Sequence, residues 1–136
     1  MQAYVREALV RGEPTNYNIA NSAQFREMKV VKAAESLVAD EPDTPLYTNY
    51  VNVVWFLLRH PVRTLPFEDQ TQPGQQRLAE LREHYPGWPP EGGYIIWFTP
   101  NQYHHIAAPD ELATIADLRL LYSDKSGQIY ALEAAR

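Results

Sequence analysis

The residues with the most chemistry to offer lie in two short stretches. One holds Thr48, Asn49 and Tyr50; the other holds Thr99, Asn101, Tyr103, His104 and His105. Amides and hydroxyls beside aromatic rings suit a small polar ligand such as a sugar. The polar groups bond its hydroxyls and the rings cover its apolar face. The alternative is structural: Asn49 makes a turn and Tyr50 is half-buried. Other chemistries find less support. Adjacent histidines on a strand point in opposite directions, and neither HExxH nor similar spacing accompanies His104 and His105. Asp110 and Glu111 suit the start of a helix. Ser22, Ser36, Ser123 and Ser126 stand in no GxSxG context, and Gly92–Gly93 precedes a strand-like run, where a phosphate loop would follow one. His60 reads as a helix-end cation or a packed side chain. No catalytic residue, metal or cofactor is nominated.

These two stretches meet only if the fold places them at one end of a sheet. Pro45–Pro66, PLYTNYVNVVWFLLRHPVRTLP, is the segment that would do so. Pro45–Thr48 has the length of a strand, with proline at its first position, where it is tolerated. Asn49 follows, and asparagine accepts the left-handed conformation of a sharp strand-to-helix turn. Val51, Val54, Trp55 and Leu58 then recur at helical spacing, and Val53, Phe56 and Leu57 make the helix apolar all round. Such a helix faces the sheet on one side and a second helix or another chain on the other. Val62–Leu65 forms the next strand, giving a compact βαβ unit.

Asn21–Asp40 carries Phe25, Met28, Val31, Ala34 and Val38 at intervals of three or four, with Asn21 or Ser22 available as cap. Gln75–Tyr85 is a short helix with Leu78, Leu81 and Tyr85 on one face. Tyr94–Phe98, YIIWF, reads as a strand covered on both sides. Pro109–Ala116 reads as a helix, with Pro109 near its first position. Leu118–Ser123 and Gln128–Leu132 are strands joined at DKSG, where Gly127 can take a positive φ. The expected fold class is α/β: three layers, a small mostly parallel, Rossmann-like sheet, and an antiparallel C-terminal hairpin. The Pro45 strand is expected between those at Val62 and Tyr94. Residues 1–20 form a lead-in and 21–136 one α/β domain. Ligands of an open parallel sheet sit beyond the carboxyl ends of its strands, which gathers the two chemical stretches into one cleft.

Composition narrows the partners. The chain has 136 residues, 12 basic and 17 acidic, for a net charge of −5. Without a basic cluster it lacks the face that nucleic acid or anionic lipid requires. With no cysteine, it has no disulfide or thiolate chemistry. Val51–Leu58 is too short to span a bilayer, and the N-terminus has no signal-peptide core.

Tyr47–Asn49 (YTN), the apolar helix after it, Arg59–Pro66 (RHPVRTLP) and Ser126–Tyr130 (SGQIY) together resemble a known pattern. It is that of the soluble C-terminal domain of polytopic membrane glycosyltransferases of the GT-C type, the dolichyl-phosphate-mannose-transferase-like group. Thr48 stands where that group usually has Ser, and His60 where it usually has Arg. The resemblance spans roughly Asn21–Tyr130. It implies an extracytoplasmic appendage of a longer enzyme that takes sugar from a lipid-phosphate donor. Catalytic acids would lie in the membrane portion, so none is carried onto this chain. Its partners would be that membrane portion and carbohydrate or lipid-linked sugar. Two other expectations remain open: a free-standing cytosolic α/β protein or small enzyme using the Asn49/His104 cleft, and an interaction module that forms a homodimer through Val51–Leu58.

Overall fold

The computed structural model describes residues 25, 27–69 and 72–135. The expected lead-in and the caps at Asn21 and Ser22 lie outside them. In chain order the elements are α1 (Lys29–Asp40), β1 (Leu46–Thr48), α2 (Val51–Leu58), β2 (Val62–Thr64) and α3 (Gln75–His84). They are followed by β3 (Gly93–Phe98), α4 (Pro109–Leu112), β4 (Leu118–Asp124) and β5 (Gly127–Leu132). The fold is α/β, built on a five-stranded mixed sheet in the order β2-β1-β3-β5-β4. No helix among the described residues is long and apolar enough to cross a membrane.

β1 lies between β2 and β3 and runs parallel to both. Its three residues cannot extend the ladder further, because Asn49 and Tyr50 turn the chain into α2. The sheet is mixed, where a mostly parallel one was expected. β5 enters beside β3 in antiparallel register from Gly93↔Leu132 to Phe98↔Gly127, and β4 forms the edge beyond it. The longer ladders are these antiparallel ones, since a tight turn joins β4 to β5 directly. Gly127 is required at that turn. Its φ is 157°, and a Cβ there would stand 2.1 Å from the Trp97 carbonyl oxygen.

Side chains of adjacent strand residues leave opposite faces of a sheet. Leu46, Ile96, Phe98 and Ile129 accordingly join one apolar cluster, with Val30 and Ala34 of α1 and Val53 and Leu57 of α2. Tyr47, Ile95, Trp97 and Leu132 join a second, with Leu81 of α3, Trp88 and Leu112 of α4. Each large apolar side chain so buried contributes roughly 1.5–3 kcal/mol against exposure.

Four local expectations are corrected. The helix expected from Asn21 breaks at Met28, whose ψ of 140° is extended. The hydroxyl of Ser126, in the β4–β5 turn, instead accepts the Val30 N–H at 3.2 Å and caps α1 from 96 residues away. The left-handed residue that ends the strand–helix unit is Arg59, at φ 52°; among the described residues it is the one non-glycine with positive φ. Asn49 makes its turn through its side chain. On α3 the buried residues are Arg77 and Leu81, while Leu78 is only half-buried. α4 stops at Leu112, short of the expected Ala116.

Candidate functional site

Of the parallel strands, β1 ends at Thr48, opposite Ile96, and β3 runs two residues further to Phe98; the chain leaves β1 toward β2 on one side and returns to β3 on the other. That reversal of direction makes the β1/β3 carboxyl end the natural crevice of such a sheet. Asn49 fills its floor. Its Oδ1 accepts the Phe98 N–H at 2.9 Å, and its Nδ2 donates to the Phe98 carbonyl at 3.0 Å and to Asn101 Oδ1 at 3.1 Å. The amide thus continues the β1–β3 ladder by one side-chain rung past the point where β1 has turned away. Thr48 is fully buried, and its Oγ1 accepts the Tyr50 N–H at 3.1 Å. Asn101 is bound in turn to Tyr103 through both backbone N–H and carbonyl.

The rings stand above this network. Tyr50 is buried and donates its hydroxyl to the Pro100 carbonyl at 3.3 Å. Burial, and then the neighbouring Tyr103, raise that hydroxyl above its ordinary pKa, so it stays a neutral donor. The Tyr50 and Tyr103 centroids are 5.1 Å apart, Tyr103 and His105 are 6.2 Å apart, and His105 and Phe67 are 6.1 Å apart. All three contacts are edge-on, the favoured arrangement of ring quadrupoles. Together they form a connected aromatic rim that runs from buried Tyr50 to exposed His105 and to Phe67, which is 49% exposed.

Not every expected residue belongs to this rim. Thr99 faces the β4–β5 turn: its N–H donates to the Ser126 carbonyl and its hydroxyl to the Lys125 carbonyl at 2.8 Å. His104 is exposed and contributes its carbonyl, which accepts Arg77 Nη1 at 2.7 Å. His60, elsewhere, is buried with its ring nitrogens 2.7 and 2.8 Å from the carbonyls of Pro61 and Pro42, so neither nitrogen faces solvent. No group of three or more metal-ligating side chains occurs among the described residues.

Arg77 and Glu111 hold the loop that carries the rim, and Arg77 is not among the residues that sequence pattern singles out. The guanidinium pairs with Glu111 at 2.8 and 3.0 Å and also reaches the Ile106 carbonyl at 3.1 Å. Glu111 Oε1 accepts the Ala108 N–H at 2.9 Å, which is the helix-start role expected of it. Both side chains are buried. A signal existed: Arg77 lies four residues before Leu81 and so on the same helix face. Phe67 and Glu68 dock alongside, through the Glu68 N–H to the His105 carbonyl at 2.9 Å.

As chemistry, the arrangement presents rings and carbonyls held by side chains whose polar atoms are already bonded. It offers contact surface. No protein-family model, curated protein or solved structure matches the chain.

Proposed function

We propose that this chain is a non-catalytic binding domain that sits at the extracytoplasmic face of a membrane, as the appendage of a glycosyltransferase using a lipid-phosphate sugar donor. In this reading its helices cover both sheet faces in a three-layer, Rossmann-like arrangement. The rim of Tyr103, His105 and Phe67 meets the carbohydrate, and the membrane portion of the parent is its partner. One observation carries the proposal: at the β1/β3 crevice the amides of Asn49 and Asn101 are spent on holding the loop, while aromatic rings remain at the surface. A sugar's C–H face packs on such rings without any catalytic group.

The genomic test is direct. The codons upstream of Met1 are expected to continue in frame into several apolar spans. A stop codon followed by a ribosome-binding site would overturn the appendage reading. The binding test is a titration of 15N-labelled protein with a mannose oligosaccharide. Shifts confined to Tyr103–Ile106 and Phe67, abolished by Tyr103→Ala, are expected; shifts elsewhere or none would exclude the rim.

A second reading, a homodimer through α2, is favoured by Trp55, which is 49% exposed on that helix. Light scattering at two concentrations, with and without Trp55→Glu, separates the two. A monomer throughout removes the dimer.

A further inference from the structure

The two edges of the sheet are unlike. β2 is an edge of three residues, whereas β4 presents seven, Leu118–Asp124, with no strand on its outer side among the described residues. Alternate residues of such an edge turn their N–H and carbonyl groups outward, a template for a further strand. β4 also carries two exposed large apolar side chains, Leu120 at 55% and Leu121 at 39% exposure.

A bulge between Leu120 and Tyr122 decides what can pair there. Before it, Arg119 lies opposite Ala131 and Leu120 opposite Tyr130; after it, Tyr122 lies opposite Ile129 and Ser123 opposite Gln128. Ile129 belongs to the apolar cluster under α1 and α2, and Tyr130 packs on the cluster under α3 and α4. Arg119, Tyr122 and Asp124 therefore share the α1 face, and Leu118, Leu120 and Ser123 the α3 face. A regular strand laid along β4 would match faces on one side of the bulge only. A second copy of β4 carries the same step and can match it throughout.

Run antiparallel about a two-fold axis, two β4 strands can set Arg119 opposite Asp124 of the second copy. That register also sets Leu120 opposite Ser123 and Leu121 opposite Tyr122, so like faces meet and a guanidinium–carboxylate pair forms at each end. Asp124 is held in place for this by Ser126 and Tyr122. A shift of one residue sets Leu118 or Leu120 opposite Asp124 and mixes the faces. A shift of two sets Tyr122 opposite Ser123 in one direction and Asp117 opposite Asp124, two like charges, in the other. Larger shifts that keep the faces together leave short overlaps at the strand ends. We infer that this chain forms a homodimer through β4, joining two sheets into one, with Arg119 and Asp124 fixing the register. The two-fold closes the assembly, because each β4 covers the other. This surface is separate from the aromatic rim and from Trp55 on α2, and it does not depend on the carbohydrate reading.

The chain has no cysteine, so cross-linking can report the register. Residues 120 and 123 of the two copies would stand with Cα atoms about 5 Å apart, within disulfide reach, whereas like positions would stand roughly 10 Å apart. Leu120→Cys/Ser123→Cys is expected to give at least about tenfold more disulfide dimer under diamide than either single variant. Both positions are exposed, and circular dichroism is expected to show the parent fold. Arg119→Glu sets like charges opposite each other and is expected to weaken dimerisation at least about tenfold in sedimentation equilibrium. Trp55→Glu is expected to leave this dimer unchanged. Single cysteine variants that cross-link as readily as the double would overturn the inference. So would a monomer at every concentration, an Arg119→Glu dimer as tight as the parent, or a dimer abolished by Trp55→Glu.

Discussion

Against one face of the sheet, α1 and α2 press Val30, Ala34, Val53 and Leu57 onto Ile96, Phe98 and Ile129. Against the other, α3 and α4 bring Leu81 and Leu112 onto Ile95 and Trp97 but also bury Arg77 and Glu111. The difference follows from what lies between the helices. On the first face, short turns connect α1, β1 and α2, and each apolar side chain meets another. On the second, the stretch 104–108 runs between α3 and α4, and its backbone groups need partners away from water. Arg77 serves the His104 and Ile106 carbonyls while Glu111 serves the Ala108 N–H. The ion pair is thus the means by which a loop is packed inside, and that loop bears Tyr103 and His105.

The comparison is tested most severely at Arg77. Arg77→Met keeps much of the stem but leaves Glu111 a buried, unpaired charge, and is expected to cost roughly 3–5 kcal/mol. Replacing both partners, Arg77→Met/Glu111→Leu, removes the charge problem and is expected to regain part of this loss. The His104 and Ile106 carbonyls and the Ala108 N–H stay unserved, so recovery should stop short of the parent. Urea midpoints measure both variants. A double variant as stable as the parent would mean that those backbone contacts contribute nothing.

Next in size is Asn49, on the floor of the crevice. Asn49→Ala leaves the Phe98 N–H buried without its acceptor and is expected to cost roughly 1–3 kcal/mol. The Tyr103 amide should shift in the same spectra, since Asn101 loses its tie to β1. A smaller effect is expected on the apolar face, where Ile96→Val removes one methylene for roughly 0.5–1.5 kcal/mol. If Ile96→Val proved the more damaging, packing and not the side-chain rung would dominate the β1–β3 end.

Local pattern was enough to read the strand–helix–strand unit, the place of β1 between β2 and β3, and the hairpin turn at Gly127. Each rests on neighbours in sequence: an apolar run, a proline at a strand start, a glycine before a strand. The features that escaped depend on distant partners. The break at Met28 follows from a cap supplied by Ser126, which no window around α1 contains. Arg77 looks like a solvent-facing charge until the carbonyls of residues 104 and 106 are placed over it. Of the candidate residues, Asn49, Tyr50, Asn101 and Tyr103 converge because the β1–β3 pairing was legible. Thr99 turns to the hairpin instead, because β5 pairs with β3, an antiparallel contact that the parallel picture had placed at an edge.

The smallest effects, and the ones that separate the two faces by sign, come from pH. On the α1 side, Asp124 accepts the Ser126 N–H at 2.7 Å and hydroxyl at 2.6 Å, and also the Tyr122 hydroxyl. Its bonds from Ser126, then from Tyr122, hold its pKa at about 2, below the ordinary 3.8. A lowered carboxylate pKa stabilises the fold above the unfolded value, and that contribution is lost as pH falls through the folded one. On the α3 side, exposed His84 places Nδ1 3.1 Å from buried Glu68, whose carboxylate raises the imidazole above its ordinary 6.5. That contribution is full below 6.5 and is lost as pH rises through the raised value. Acid should therefore disturb the Ser126 and Val30 amide signals between pH of about 4 and 2, whereas mild alkali should disturb Phe67–Glu68 and the end of α3. Solvent screening keeps both effects small at these positions. Asp124→Asn should remove the acid response alone and His84→Gln the alkaline one alone. A Val30 signal indifferent to acid would break the link between the β4–β5 turn and the start of α1, and with it the polar exception on the otherwise apolar face.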